Sequence, residues 1–155
     1  MNVSKSAMND APLELRRGQF VISTDRARLD TDAALALLRA THWGGRMNRE
    51  TLTRAVANSV CFGVYAGSEL VGFGRIITDL ATYAYWTDVV ISPAYRGMGL
   101  GRWLSECMLA HPDLQGLRRV ALLTRDAADL YAQLGFTEGA GSLIYMERSV
   151  AENAA

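Results

Sequence analysis

Short β-rich runs and helical repeats follow one another along the chain, separated by glycine, proline and polar clusters. Residues 1–17 are polar and aperiodic and read as a flexible leader. Gln19–Ser23 reads as a first short strand. Leu35, Leu37 and Leu38, set among alanines, predict a helix over Asp32–Arg39. The run Thr41-His42-Trp43-Gly44-Gly45-Arg46 breaks it. Asn48 then reads as an N-cap, with Glu50 in the first turn, for a helix reaching about Asn58.

Val60–Ala66 and Leu70–Thr78 are β-rich and flank Gly67-Ser68, which is the pattern of a hairpin. Tyr83–Ile91 is a third long strand. Between Gly99 and Ala110, the residues Leu100, Trp103, Leu104, Cys107 and Met108 fall on one side of a helix. Val120–Leu123 is a short apolar run of the kind found in buried parallel strands. Ala127–Leu134 reads as a helix stopped by a C′ glycine, Gly135, and Leu143–Met146 as a last strand. The order predicts an α/β (α+β) domain, a mixed sheet with helices on both faces.

Composition narrows the function classes. The chain has 155 residues, enough for one domain with a proper core, here taken as 18–150. Lys plus Arg equals Asp plus Glu, 16 each, which argues against a general nucleic-acid binder or a polybasic membrane patch. No run reaches the roughly 18 apolar residues of a membrane span. No signal-peptide core precedes Phe20, so a cytoplasmic location is the expectation. Cys61 and Cys107 sit in apolar segments and read as buried thiols. Neither has a metal-ligand spacing, and no metal is expected.

The most informative segment follows the third long strand. Arg96-Gly97-Met98-Gly99-Leu100-Gly101 joins Ile91 to an amphipathic helix. Glycines at alternate positions permit tight turns with positive φ. Successive N–H groups then point into one concavity at a helix N-terminus, which suits a phosphate or pyrophosphate. Two common glycine motifs fail. A P-loop needs Lys-Ser/Thr where Arg102-Trp103 stand, and the dinucleotide fingerprint needs glycine where Leu104 stands. Arg102 adds basic character beside Arg96.

What does fit is Arg/Gln-x-x-Gly-x-Gly/Ala, filled by Arg96, Gly99 and Gly101. This resembles the acetyl-CoA pyrophosphate loop of the GNAT superfamily of N-acetyltransferases. The order of elements from about 19 to 148 resembles the GNAT fold, a mostly antiparallel central sheet. A second segment, Leu130-Tyr131-Ala132-Gln133-Leu134-Gly135-Phe136, resembles the family's C-terminal Leu-Tyr-x-x-x-Gly-Phe signature. Taken alone, Tyr131 reads equally as core packing with its hydroxyl at the edge. The resemblance implies coenzyme A as cofactor. It implies that the Tyr131 hydroxyl serves the departing thiolate, and that backbone groups of Val89, Val90 and Ile91 serve the thioester. An asparagine seven before the tyrosine touches the cofactor in many relatives, and Thr124 stands at that position here.

The reaction implied is direct attack of a primary amine, on a small molecule or an amino terminus, on the acetyl thioester. The alternative is a non-catalytic acyl-CoA-binding or regulatory module on the same fold. A protonated amine cannot attack. Asp79 and Asp88, near strand ends, are the candidate proton acceptors, with a turn carboxylate and a satisfied structural carboxylate as their plain alternatives. The acceptor pocket is expected from the loop between the first two helices and the middle of the sheet. Its candidates are His42, Trp43, Arg46, Tyr83, Tyr85 and Trp86, whose aromatic faces can hold a cation or simply pack. A homodimer is compatible with this reading.

Overall fold

A computed structural model describes residues 11–139 and 141–148. The chain divides into two units, residues 1–124 and 125–155. The first unit carries a six-stranded sheet. Its strands are β1 (Glu14–Arg17), β2 (Phe20–Ser23), β3 (Val60–Ala66), β4 (Glu69–Thr78), β5 (Tyr83–Ile91) and β6 (Arg119–Leu122), and they lie side by side in chain order. The first four pairings are antiparallel and β5–β6 is parallel.

Helices α1 (Thr31–Arg39) and α2 (Arg49–Ala57) are capped as their sequences dictate. The Asp30 carboxylate accepts from the N–H groups of Asp32 and Ala33, and the Asn48 side chain accepts from Thr51 N–H. Their apolar residues Ala34, Leu35, Leu38 and Leu52 form a core with Cys61, Tyr65, Phe73 and Val90 of the sheet. Each fully buried large side chain there contributes about 1.5–3 kcal/mol of hydrophobic stabilisation. Helix α3 (Leu100–Leu109) covers the other face. Its Leu104 and Met108 lie against Gly74, on the side opposite Phe73 and Arg75.

Two irregularities set the second half of β5 apart from the first. Phe73 pairs with Val90 and Arg75 with Thr87, so Asp88 and Val89 together oppose the single residue Gly74. This is a β-bulge, and Asp88 takes the left-handed conformation it requires, with φ 56°. Asp is among the few residues that tolerate that region. In addition, β6 pairs only with Tyr83–Trp86. From Thr87 to Ile91, β5 has a strand neighbour on the β4 side alone among the described residues.

The structure departs from the expected elements at both ends. Glu14–Arg17, within the stretch read as a leader, is a strand paired with β2 through a turn at Gly18. Its polarity reflects an edge position, where Leu15 is half-buried and the neighbouring charged residues face solvent. Leu143–Met146, expected as a last strand, forms only an isolated bridge at Leu143, and all four residues are exposed. A strand exists only through a partner ladder, and a single bridge does not extend into one. Residues 1–10, within the expected leader, lie outside the described residues. No helix among the described residues is long and apolar enough to cross a membrane.

Candidate active site

The segment after β5 is tied down before it turns. Ser92 N–H bonds the Val71 carbonyl at 2.7 Å, and a 3-10 turn comes next, over Pro93–Tyr95. The Tyr95 hydroxyl donates to Glu69 at 2.9 Å, and Arg96 Nε donates to the Ile91 carbonyl at 3.1 Å. The chain then passes through Gly97 and Gly99 at φ 78° and 76°, a region in which other residues are strained. Gly99 is the N-cap of α3 and offers no side chain to cap it. The first backbone bond into the helix is Trp103 N–H to the Gly99 carbonyl. The N–H groups of Leu100, Gly101 and Arg102 precede the intrahelical ladder. With the helix dipole behind them, they make a main-chain cradle of the kind that can receive an anion. A Cβ at Gly97 or Gly99 would meet nothing within 4 Å, so the concavity is open to a ligand. Met98 is exposed at its tip. Arg102 turns along the helix to Glu106, at 2.9 Å.

Just before this loop, the missing β6 partner leaves one edge of Val89–Ile91 without a neighbouring strand among the described residues. An extended group laid along that edge would meet main-chain donors and acceptors at strand spacing. Thr124 lies past the end of β6 and is exposed.

On the α1–α2 face, a pocket of about 270 Å³ is lined by Leu38, Trp43, Gly44, Arg46, Met47 and Asp88. Its wall is the loop between α1 and α2, held by its own hydrogen bonds. Thr41 Oγ1 donates to the Leu38 carbonyl at 2.6 Å and accepts from Gly44 N–H at 2.9 Å. Met47 N–H closes on the Gly44 carbonyl at 3.2 Å. Gly44 is required by space, because a Cβ there would overlap the Leu38 carbonyl. His42 is exposed on the same loop and is not among the lining residues. Tyr83 and Tyr85 share the sheet face of Thr87, Arg75 and Ile77, Tyr83 exposed and Tyr85 half-buried. Trp86 is turned to the other face and buried.

The pocket's floor is Asp88, and a buried network holds it. Arg75 Nε donates to Asp88 Oδ2 at 2.7 Å, and another Arg75 nitrogen donates to the Ser59 hydroxyl at 3.1 Å. The two charged side chains are 10% and 7% exposed. Breaking such a buried pair costs about 3–5 kcal/mol, because one charge is left without its partner. The sequence reading missed Arg75 and Ser59. The signal was present: Arg75 is the lone charge inside the apolar run Leu70–Ile77.

Asp79 has a different setting. Its carboxylate accepts from the N–H groups of Ala81, Thr82 and Tyr83 and from the Thr82 hydroxyl, at 2.5–3.2 Å. The Thr82 hydroxyl above all, then the three backbone donors, holds its pKa far below the ordinary carboxylate value. Asp79 therefore organises the β4–β5 turn, in which Leu80 sits at φ 62°, and a carboxylate so held is a poor proton acceptor.

In the second unit, α4 (Ala128–Gln133) explains the Tyr-x-x-x-Gly-Phe pattern physically. Phe136 N–H bonds the Tyr131 carbonyl at 3.0 Å and Gly135 N–H bonds the Ala132 carbonyl at 3.1 Å. Gly135 is left-handed, φ 93°, and the Phe136 ring meets the Tyr131 ring edge-on at 5.7 Å. This is a Schellman cap with its apolar clasp. It anchors Tyr131 in the last turn of α4, where burial first, and the Asp126 charge second, raise the phenol's pKa.

Neither cysteine is an activated nucleophile. Burial pushes the Cys61 thiol up to about 12 and the Cys107 thiol to about 11. Among the described residues no three or more His, Cys, Asp or Glu side chains gather as metal ligands.

Known proteins place this arrangement. The family model described as an acetyltransferase (GNAT) domain matches residues 57–138. A Gibberella zeae protein assigned as an acetyltransferase is 37% identical over 145 residues, covering 79% of this chain and 81% of its own. An uncharacterized ycf52-like N-acetyltransferase of Prochlorococcus marinus is 32% identical over 124 residues, 76% of this chain and 68% of its own. A crystal structure from Xanthomonas campestris pv. campestris, assigned to the GNAT family, superposes with a TM-score of 0.79. It is 42% identical and covers 84% of this chain and 93% of that one. With the cradle, the bulged strand and the Tyr131 cap in place, the chain belongs to the GNAT family and is an acetyl-CoA-dependent N-acetyltransferase.

Proposed function

We propose that the acceptor is the primary amine of a small molecule or an amino terminus, and that it attacks the acetyl thioester directly. One observation carries the reading. Three features follow one another in a short stretch of chain: Asp88 lines the pocket, Val89–Ile91 present the open edge, and the glycine loop begins after Arg96.

Each part has a task in this reading. The amides of Leu100, Gly101 and Arg102, with Arg96 beside them, hold the pyrophosphate. Bound acetyl-CoA supplies the activated acyl group. Backbone groups of Val89, Val90 and Ile91 align the thioester arm, and an N–H aimed at the thioester oxygen stabilises the charge developing there. Tyr131, kept protonated by its surroundings, gives its proton to the departing thiolate. Thr124 takes the cofactor contact that an asparagine makes in many relatives. Asp88 is the carboxylate at the acceptor end, and Asp79 is assigned to the turn. The neutral, buried thiols of Cys61 and Cys107 favour direct transfer over an acyl-enzyme. A pocket of about 270 Å³ suits a small acceptor. Trp43 stands at its wall, 48% exposed, with a ring face to offer an ammonium group.

The test is free thiol release from acetyl-CoA with matched amines, alcohols and thiols between about pH 6 and 8.5. Amines are expected to react fastest, with a rate that climbs as the amine loses its proton. An enzyme that prefers the alcohol or thiol would overturn the amine assignment.

A further inference from the structure

We propose that Arg75 is a positioning residue for the acceptor. It holds Asp88 by one carboxylate oxygen, Oδ2, and so leaves the other, Oδ1, for the acceptor amine. The proposal rests on the reading of the pocket of about 270 Å³ as the acceptor site.

Among the residues that line this pocket Asp88 is the one acid, set with Leu38, Trp43, Gly44, Arg46 and Met47. Its carboxylate is unevenly served. Arg75 Nε donates to Oδ2 at 2.7 Å. The Thr87 hydroxyl stands 3.5 Å from Oδ1, at the outer limit of a hydrogen bond. A carboxylate offers about four acceptor sites, so Oδ1 is the oxygen with capacity left for a ligand.

The imbalance has a cause behind the pocket. A guanidinium beside a carboxylate commonly grips both oxygens in a fork. Here the fork is divided, because Arg75 Nη1 donates to Ser59 Oγ at 3.1 Å. The Ser59 hydroxyl spends its own proton on the Ala55 carbonyl, at 2.7 Å, so toward Arg75 it can only accept. Arg26 Nη2 donates to the Ser59 carbonyl at 2.8 Å and ties down the junction of α2 and β3. Ser59, Arg75 and Asp88 are all buried, and the bulge fixes the Asp88 backbone at φ 56°. The carboxylate is thus oriented from the α2–β3 junction, from β4 and from β5. A buried ion pair adds little stability over an apolar pair of the same volume. Its use here is to aim a charge. An acceptor nitrogen that donates one N–H to Oδ1 is held in place before it attacks.

The experiment uses Ser59→Ala, which touches neither the pocket lining nor the cradle. Without the serine hydroxyl, Arg75 is free to close its fork over both oxygens of Asp88 and take Oδ1 from the acceptor. The probes are matched pairs, butylamine with butanol and phenethylamine with phenethyl alcohol. Each amine is read by its KM as acceptor and each alcohol by its inhibition constant against that amine. Ser59→Ala is expected to weaken the amines about 3- to 10-fold, as for one hydrogen bond to a charged group, and the alcohols by no more than about 2-fold. Coenzyme A affinity should stay at the wild-type value and serves as the control for folding. Arg75→Lys keeps the charge but cannot span Ser59 and Asp88, and its amine KM should rise about 10-fold or more. Unchanged amine KM in either variant, or equal loss for amine and alcohol in Ser59→Ala, would overturn the proposal and leave acetyl transfer to amines standing. If no amine is acetylated while coenzyme A binds, the amine reading fails. Calorimetry with the same pairs and coenzyme A present then decides this proposal alone. Amine binding that Ser59→Ala selectively weakens upholds it, and its absence rejects it.

Discussion

The cradle after β5 and the pocket beneath the α1–α2 loop lie a few residues apart along one unit, yet one is made of main chain and the other of side chains. The cradle needs three amides at a helix start and two left-handed glycines, all within Gly97–Arg102. The pocket draws Leu38, Trp43 and Arg46 from around one turn and Asp88 from a strand. Arg75 and Ser59 hold that aspartate from two further elements. A cofactor shared by many enzymes can be gripped by groups every residue has. An acceptor peculiar to one enzyme must be distinguished by side chains, which change without disturbing the fold.

Tyr131 belongs to neither region, and its proposed role is in the transfer step itself. Tyr131→Phe keeps the ring that clasps Phe136 and removes only the hydroxyl. We expect kcat to fall by about 10- to 1000-fold, with both substrate affinities largely kept. The pH profile sharpens the assignment. Burial and the Asp126 charge raise the phenol above its ordinary value of 10, so its proton is retained through neutral and mildly alkaline pH. The rate should rise as the acceptor amine deprotonates and show no descending limb below about pH 10. Turnover equal to wild type would remove Tyr131 from the mechanism.

Gly99→Val tests the main-chain region. Nothing lies within 4 Å of the position a Cβ would take, so the damage comes from forcing a β-branched residue to φ 76° and from filling the open concavity. A backbone displaced from that region costs the cradle its alignment, and coenzyme A affinity should fall roughly 10- to 100-fold. Calorimetry on the folded variant reads this directly. An unchanged affinity would mean that the cofactor is not held by these amides.

The same contrast governs what the sequence disclosed. The alternating glycines, the strand before them and the helix after them are contiguous, so the course of that loop was legible, as was the glycine stop at Gly135. The Asp88 bulge was not, because a bulge is a relation between two strands, here two residues against Gly74. Asp79 and Asp88 looked alike as carboxylates near strand ends. Only the donors around them separate a turn organiser from a pocket floor. Arg75 showed itself as a charge in an apolar run, but its partners, Asp88 and Ser59, lie 13 and 16 residues away. The Leu143–Met146 run had strand-like residues, and composition cannot report whether a neighbouring edge takes it up.

Gly44→Ala is the counterpart of Gly99→Val at the side-chain end, and the effect should be smaller. The added methyl would overlap the Leu38 carbonyl and stand 2.8 Å from Thr41 Oγ1. The α1 end is packed through Leu38, so the loop, with Trp43 and Arg46, is the part free to give way. Relief of such overlap costs about 1–3 kcal/mol of stability, which a denaturation curve would show. Displacement of Arg46 and Trp43 should raise the acceptor KM several-fold, about 3- to 10-fold, as expected for losing about one hydrogen-bonded contact. Coenzyme A affinity should stay at the wild-type value, since no lining residue of the pocket belongs to the cradle. Steady-state kinetics with acceptor and cofactor varied separately gives both numbers. If coenzyme A affinity drops in step with the acceptor KM, then the bulge at Asp88 transmits strain from one region to the other, and the division between a main-chain end and a side-chain end fails.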